Sequence, residues 1–137
     1  IGLENTHFLN ESGLDTSDVV SGAYGNAKDV ASLFTHILSV DPDLLEVTRT
    51  PSKDFTSLQN ITHEGENTNP YTNALPVLLG SKTGFTELSG GNLAVTINPD
   101  PNRPIVIVVL GSTIDGRFDD VKLLSDRTLD YLLYYSQ

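Results

Sequence analysis

Ser81-Lys82-Thr83-Gly84-Phe85-Thr86, then Asn92-Leu93-Ala94-Val95-Thr96-Ile97-Asn98, then Ile105-Val106-Ile107-Val108-Val109-Leu110, are three runs that read as β-strands. Ser89-Gly90-Gly91 joins the first two, and residues 99–104 join the last two. Three prolines in that second link rule out a strand interior there. Links this short leave no room for a crossover, so the three strands form an antiparallel meander. Residues 105–110 are apolar without a break, so both faces of that strand should be covered.

Outward from the meander, a last helix is predicted from Asp115 or Gly116 to Tyr134. Val121, Leu124, Leu129, Leu132 and Leu133 supply its buried stripe, and Asp119 and Asp120 suit its positive N-terminal end. The three tyrosines near its end, Tyr131, Tyr134 and Tyr135, are expected to be partly buried. On the other side of the meander, residues 4–25 are rich in Gly, Ser, Asn and Asp and read as irregular. Asn26 can cap a helix whose apolar face is Ala27, Val30, Ala31, Phe34, Ile37 and Leu38. Asp41-Pro42 reads as N-cap and first residue of a short helix through Leu45. Residues 48–75 read as extended pieces and turns, with a turn at Thr50-Pro51-Ser52-Lys53. A meander backed by helices on one sheet face is α/β, of the α+β kind. Residues 1–75 form a helical and loop region, and residues 76–137 carry the three strands and the last helix.

The chain has 137 residues and a formal net charge of −10, enough length for one domain or a piece of one. An acidic chain lacks the field that draws a protein to nucleic acid or anionic lipid. Residues 1–68 hold 11 acids and 3 bases, and residues 69–137 hold 7 and 5, so most of the acidity lies away from the meander. There is no cysteine, hence no disulfide, thiolate metal site or thiol nucleophile. His7, His36 and His63 lack metal-ligand spacing. The longest apolar run, Ile105 to Leu110, is far short of the roughly 20 residues that span a bilayer. No methionine occurs, so the chain is expected to be part of something longer.

Lys82-Thr83-Gly84 carries the most chemistry. Lys82 supplies fixed positive charge, Thr83 a hydroxyl for a carboxylate, and Gly84 a backbone that a ligand can approach closely. An ordinary strand can also contain these three residues by chance. The same tripeptide is one of three motifs shared by penicillin-binding proteins and class A β-lactamases.

The surroundings narrow this. Leu3-Glu4-Asn5-Thr6-His7-Phe8-Leu9-Asn10-Glu11-Ser12-Gly13-Leu14 resembles the LGL-x-NTHF-x-NPSGL stretch of the serine D-alanyl-D-alanine carboxypeptidases, the low-molecular-mass penicillin-binding proteins of peptidase family S11. Glu11 stands where that family usually has proline. Ala23-Tyr24 and the following helix are similar to its AYDLA segment, and Asn67-Thr68-Asn69 to its NTN segment. Gly80 to Thr86, then Gly90-Gly91, resemble GxKTGFT…AG, and Val106 to Gly111 with Gly116-Arg117 resemble its VVLG…GR ending. The resemblance runs in one order along nearly the whole chain.

It implies the C-terminal part of a β-lactamase/DD-peptidase-like fold over residues 1–137, acting on peptidoglycan stem peptides that end in D-Ala-D-Ala through an acyl-enzyme. It implies binding of β-lactams, a place outside the cytoplasmic membrane, membrane association of the parent protein, and neither metal nor cofactor. Lys82 would join the proton and charge network. Thr83 would bind the substrate carboxylate, with Gly84 and Thr86 lining the cleft. The backbone N–H of Phe85 would be one of two oxyanion donors. Arg117 would lie near the substrate carboxylate and make a positive spot with Lys82. The alternative for Arg117 is an exposed arginine paired with Asp119 or Asp120.

The chain contains neither Ser-x-x-Lys nor Ser-x-Asn. In the family both precede the segment matching Ile1–Leu14. The chain should therefore be inactive alone and need the upstream segment that carries the nucleophile, on the same chain or another. Alone, its sheet should expose an unpaired edge. The rival readings are a non-catalytic module binding muropeptides or a protein, and a relative of the class A β-lactamases.

Overall fold

The computed structural model describes residues 1–100 and 103–135. Strands β1 (His7–Phe8) and β2 (Ala23–Tyr24) pair briefly, followed by helix α1 (Ala27–Val40) and a 3-10 helix (Pro42–Arg49). Strands β3 (Ser52–Thr56) and β4 (Thr62–Glu66) form an antiparallel hairpin. Strands β5 (Leu78–Thr86), β6 (Gly90–Ile97) and β7 (Ile105–Ser112) form the sheet, in that spatial order, and α2 (Gly116–Tyr135) ends the described chain.

The meander is the one expected, antiparallel throughout, with each strand a little longer than predicted. Two residues of its second link, Pro101 and Asn102, lie outside the described residues. The prediction that helices cover a single sheet face is corrected, because both faces are covered. Leu93, Val95, Ile97 and Ile107 pack with Phe118 and Val121 of α2. Ala94 packs with Phe34 of α1 and Leu45 of the 3-10 helix, and Val106 and Val108 join that side. Side chains alternate between faces along a strand, so an apolar run without gaps serves two helical layers at once. Val95 and Ile97 are 0% exposed, and fully burying side chains of this size contributes about 1.5–3 kcal/mol each.

Asn26 caps α1 as expected, its Oδ1 accepting from Asp29 N at 2.8 Å. Asp29 is itself buried, and its Oδ2 accepts from Asn5 N at 3.1 Å and from Thr6 Oγ1 at 2.8 Å. A carboxylate in the first turn thus serves the helix dipole and ties down the Asn5-Thr6 stretch. Asn10 holds the next loop: its Oδ1 accepts from Ser12 N and Gly13 N, and its Nδ2 donates to Leu14 O. Asp41 does not cap the 3-10 helix with its side chain, although Pro42 does open that helix.

The α2 stripe departs from the prediction. Its buried residues are Arg117, Phe118, Val121 and Ser125, while Leu124 and Leu133 are exposed. Tyr131, Tyr134 and Tyr135 are exposed as well, and pack mainly on one another. Val121 is buried as expected and Leu129 and Leu132 are half-buried, but the stripe passes through Ser125, which gives no apolar signal, instead of Leu124.

Candidate functional site

Strand β5 is one edge of the sheet. Gly80 lets the 3-10 helix lie close against it: a Cβ there would come within 2.6 Å of Leu45 Cβ. That approach brings Thr48 over the strand, where its Oγ1 accepts from Ser81 N at 2.9 Å. Ser81 N–H therefore points off the sheet edge. By the two-residue period of a strand, the N–H groups of Thr83 and Phe85 point the same way. The Phe85 N–H, assigned above as an oxyanion donor, is thus directed away from β6.

A groove of about 260 Å³ runs between this edge and the β3–β4 hairpin. Its β5 wall is Ser81, Lys82 and Thr83, and its far wall includes Lys53, Phe55, Glu66 and Thr68. Two ammonium groups against one carboxylate make the groove locally cationic in a chain of net charge −10. Lys82 is exposed, and its Nζ donates to the edge carbonyl Thr83 O at 2.5 Å. Thr83 Oγ1 lies 2.5 Å from Thr68 Oγ1, a short hydroxyl pair at the mouth of the groove.

The other assigned residues flank this groove. A Cβ at Gly84 would meet only Asn92 Cβ, at 3.7 Å, an ordinary contact. Nothing in the described chain requires glycine there. Thr86 is committed locally, its Oγ1 donating to Ser89 Oγ at 2.9 Å and accepting from Ser89 N at 3.1 Å. Arg117 is 8% exposed and comes up from α2, its NH1 donating to Gly84 O at 2.7 Å. Its guanidinium also lies over the Phe118 ring, 4.7 Å from the centroid. The alternative pairing of Arg117 with Asp119 or Asp120 is not made. Those carboxylates accept from Tyr71 Oη and Ser112 Oγ respectively. Arg117 thus braces the strand from beneath, while Lys82 and Thr83 line the groove.

Sequence reasoning missed the far wall. Thr48 and Phe55 have no motif to mark them, Lys53 reads only as part of a turn at Thr50-Pro51-Ser52-Lys53 whereas Ser52 and Lys53 already belong to β3, and Thr68 is marked only as the centre of Asn67-Thr68-Asn69. Among the described residues, no group of three or more His, Asp or Glu could hold a metal ion, and no helix is long and apolar enough to cross a membrane.

An antiparallel meander between two helical layers, with Lys-Thr-Gly on its edge strand, defines the DD-peptidase/penicillin-binding fold. Penicillin-binding protein D2 from Listeria monocytogenes, in its cefotaxime-bound form, superposes with a TM-score of 0.74 at 31% identity, over 88% of this chain and 47% of that one. A D-alanyl-D-alanine carboxypeptidase from Mycobacterium tuberculosis H37Rv superposes with a TM-score of 0.69 at 25% identity, over 90% of this chain and 47% of that one. The family model Peptidase S11, D-alanyl-D-alanine carboxypeptidase, matches residues 1–113, and the chain belongs to that family. It is 30% identical over 124 residues to the D-alanyl-D-alanine carboxypeptidase DacA of Escherichia coli K12, covering 90% of this chain and 29% of that protein. The chain thus spans less than a third of the curated relative and about half of the solved ones.

Proposed function

We propose that this chain is the Lys-Thr-Gly portion of a serine-type D-Ala-D-Ala carboxypeptidase that trims peptidoglycan stem peptides outside the cytoplasmic membrane and is acylated by β-lactams. One observation carries the reading: in a member of this family, Lys82 and Thr83 face an open cationic groove at a sheet edge. The nucleophile comes from polypeptide beyond these residues, since the chain has no Ser-x-x-Lys. The free edge of β7 supports that part of the reading, because an apolar strand end-stop of this length is otherwise an aggregation hazard. Added strands would pair there, on the side of the sheet opposite the groove.

In this reading the Thr83 hydroxyl donates to the terminal carboxylate of the substrate. Lys82 holds positive charge beside it and takes part in proton movement to the leaving D-alanine. Phe85 N–H donates to the oxygen of the tetrahedral intermediate, where each such donor is worth roughly 3–4 kcal/mol. Gly84 leaves the backbone open to the acyl chain. Arg117 keeps the Gly84 carbonyl, and with it the Phe85 N–H, in place, and adds positive charge beneath the carboxylate site.

The test is made on the full-length polypeptide. It should label covalently with a fluorescent penicillin and release D-alanine from a peptide ending in D-Ala-D-Ala. Binding of muropeptide without acylation would mean a non-catalytic module instead. Rapid turnover of nitrocefin would mean a β-lactamase.

A further inference from the structure

We propose that Thr68 is a positioning residue for Thr83, fixing the direction in which the Thr83 proton points and so the preference for a ligand with a free terminal carboxylate. The inference rests on the carboxylate role of Thr83 proposed above.

A threonine hydroxyl has one proton and two lone pairs. With 2.5 Å between Thr68 Oγ1 and Thr83 Oγ1, one of the two must donate to the other. If Thr83 donates to Thr68, its only proton is spent and it can offer an incoming carboxylate nothing but lone pairs. Once Thr83 donates to a carboxylate, Thr68 must donate to Thr83. The chain of hydroxyls then runs Thr68 to Thr83 to ligand, and each bond polarises the next. An amide oxygen in place of the carboxylate carries less charge to draw the Thr83 proton outward, so it gains less from this arrangement.

Thr68 is held for this task by its neighbours. Asn67 Nδ2 donates to Thr48 O at 2.9 Å and to Thr50 O at 3.0 Å, and its Oδ1 accepts from Asn69 N at 2.9 Å. Asn69 is 1% exposed, and its Oδ1 accepts from Tyr71 N at 3.0 Å. These two side chains fix the backbone on either side of Thr68. The Thr68 hydroxyl itself bonds neither of them. Among the described residues, the side-chain partner of the Thr68 hydroxyl is Thr83. A residue whose backbone is already secured by two asparagines has no need of a hydroxyl for anchoring, so the hydroxyl serves the strand it faces.

The experiment compares Thr68→Val and Thr68→Ser in the full-length protein, with kcat and KM measured on a peptide ending in D-Ala-D-Ala and on its C-terminal amide. Thr68→Val is nearly isosteric at an exposed site. It should lower kcat/KM for the free acid about tenfold and for the amide less than threefold. Thr68→Ser should recover the free-acid rate to within about twofold. Pairing Thr68→Val with Thr83→Val should give a loss well short of the product of the single losses, because both remove the same relay. Equal losses on acid and amide, no rescue by serine, or multiplicative losses would each overturn the inference while leaving the enzyme reading intact. If the unsubstituted protein is neither acylated by penicillin nor active on the peptide, the enzyme reading falls and takes this inference with it.

Discussion

The groove has two walls of opposite character. Strand β5 belongs to a sheet whose middle strand, β6, is almost wholly buried between two helical layers. The β3–β4 hairpin across from it is exposed at all ten of its strand positions. Its pairing is backbone to backbone, with Ser52 opposite Glu66 and Thr56 opposite Thr62, and Asn67 ties its base to the end of the 3-10 helix. Lys82 and Thr83, to which the chemistry is proposed to belong, lie on the strand that pairs with this buried one. The wall that burial does not stiffen carries Lys53, Phe55 and Glu66, which contact whatever enters the groove. Rigidity and adaptability are therefore assigned to different strands of the same site.

The contrast breaks most visibly with one substitution in the sheet and one in the hairpin. Leu93 is 1% exposed at the centre of the α2-side core. Leu93→Ala in the full-length protein should lose about 3 kcal/mol, the transfer loss plus a cavity that close-packed neighbours cannot fill. Phe55→Ala on the hairpin should lose under about 1 kcal/mol, as for an exposed side chain away from the core. Urea unfolding of both variants measures the difference. Comparable losses would mean that the hairpin is as integral to the folding unit as the sheet.

A smaller effect is expected where the two regions meet. A Cβ at Gly80 would press on Leu45 Cβ and on Thr48 Oγ1, the group that receives Ser81 N–H. Gly80→Ala should cost about 1–3 kcal/mol through overpacking. It should also displace the 3-10 helix, and with it Asn67 and Thr68, so penicillin acylation should fall further than stability alone explains. Gly84→Ala is the control, since its Cβ would find ordinary room. It should leave the unfolding midpoint near that of the parent protein while slowing acylation.

How much of this the amino-acid order discloses follows from the same contrast. Ile105 to Leu110 announces its two covered faces because nothing polar interrupts it. Lys82-Thr83-Gly84 announces itself by motif, and Asn26 by its capping chemistry. The hairpin is only half legible: residues 48–75 read as extended pieces and turns, but Lys53-Asp54-Phe55 and His63-Glu64-Gly65 have no apolar alternation to fix strand bounds or pairing, because neither face is buried and periodicity reports burial alone. The α2 stripe misled for a related reason. Ser125 occupies a buried position without an apolar side chain, whereas Leu124 and Leu133 have one and stay exposed. The partnership of Thr68 with Thr83 lies 15 residues apart in sequence. It depends on where the hairpin base meets the strand, which no local pattern encodes.

The smallest expected effect concerns the far side of the sheet, where α2 meets the turn before β5. Tyr71 Oη donates to Asp119 Oδ1 at 2.8 Å, and the Tyr71 ring packs on Phe118. The hydrogen bond to Asp119 raises the Tyr71 pKa above its ordinary 10.0, the Asp119 charge adds to it, and slight desolvation and Asp115 contribute less. The folded state therefore holds the phenolic proton more tightly than the unfolded chain does. By linkage, this contribution to stability is fully present below pH 10 and is lost as pH rises through the folded-state pKa. Asp119→Asn removes the charge and keeps an acceptor. It should bring the phenol titration, followed by ultraviolet absorbance, back toward the ordinary value. The stability gap between parent and variant should narrow as pH rises through the alkaline range. A gap that stayed the same through the alkaline range would mean that folding does not change the proton affinity of the Tyr71 phenol.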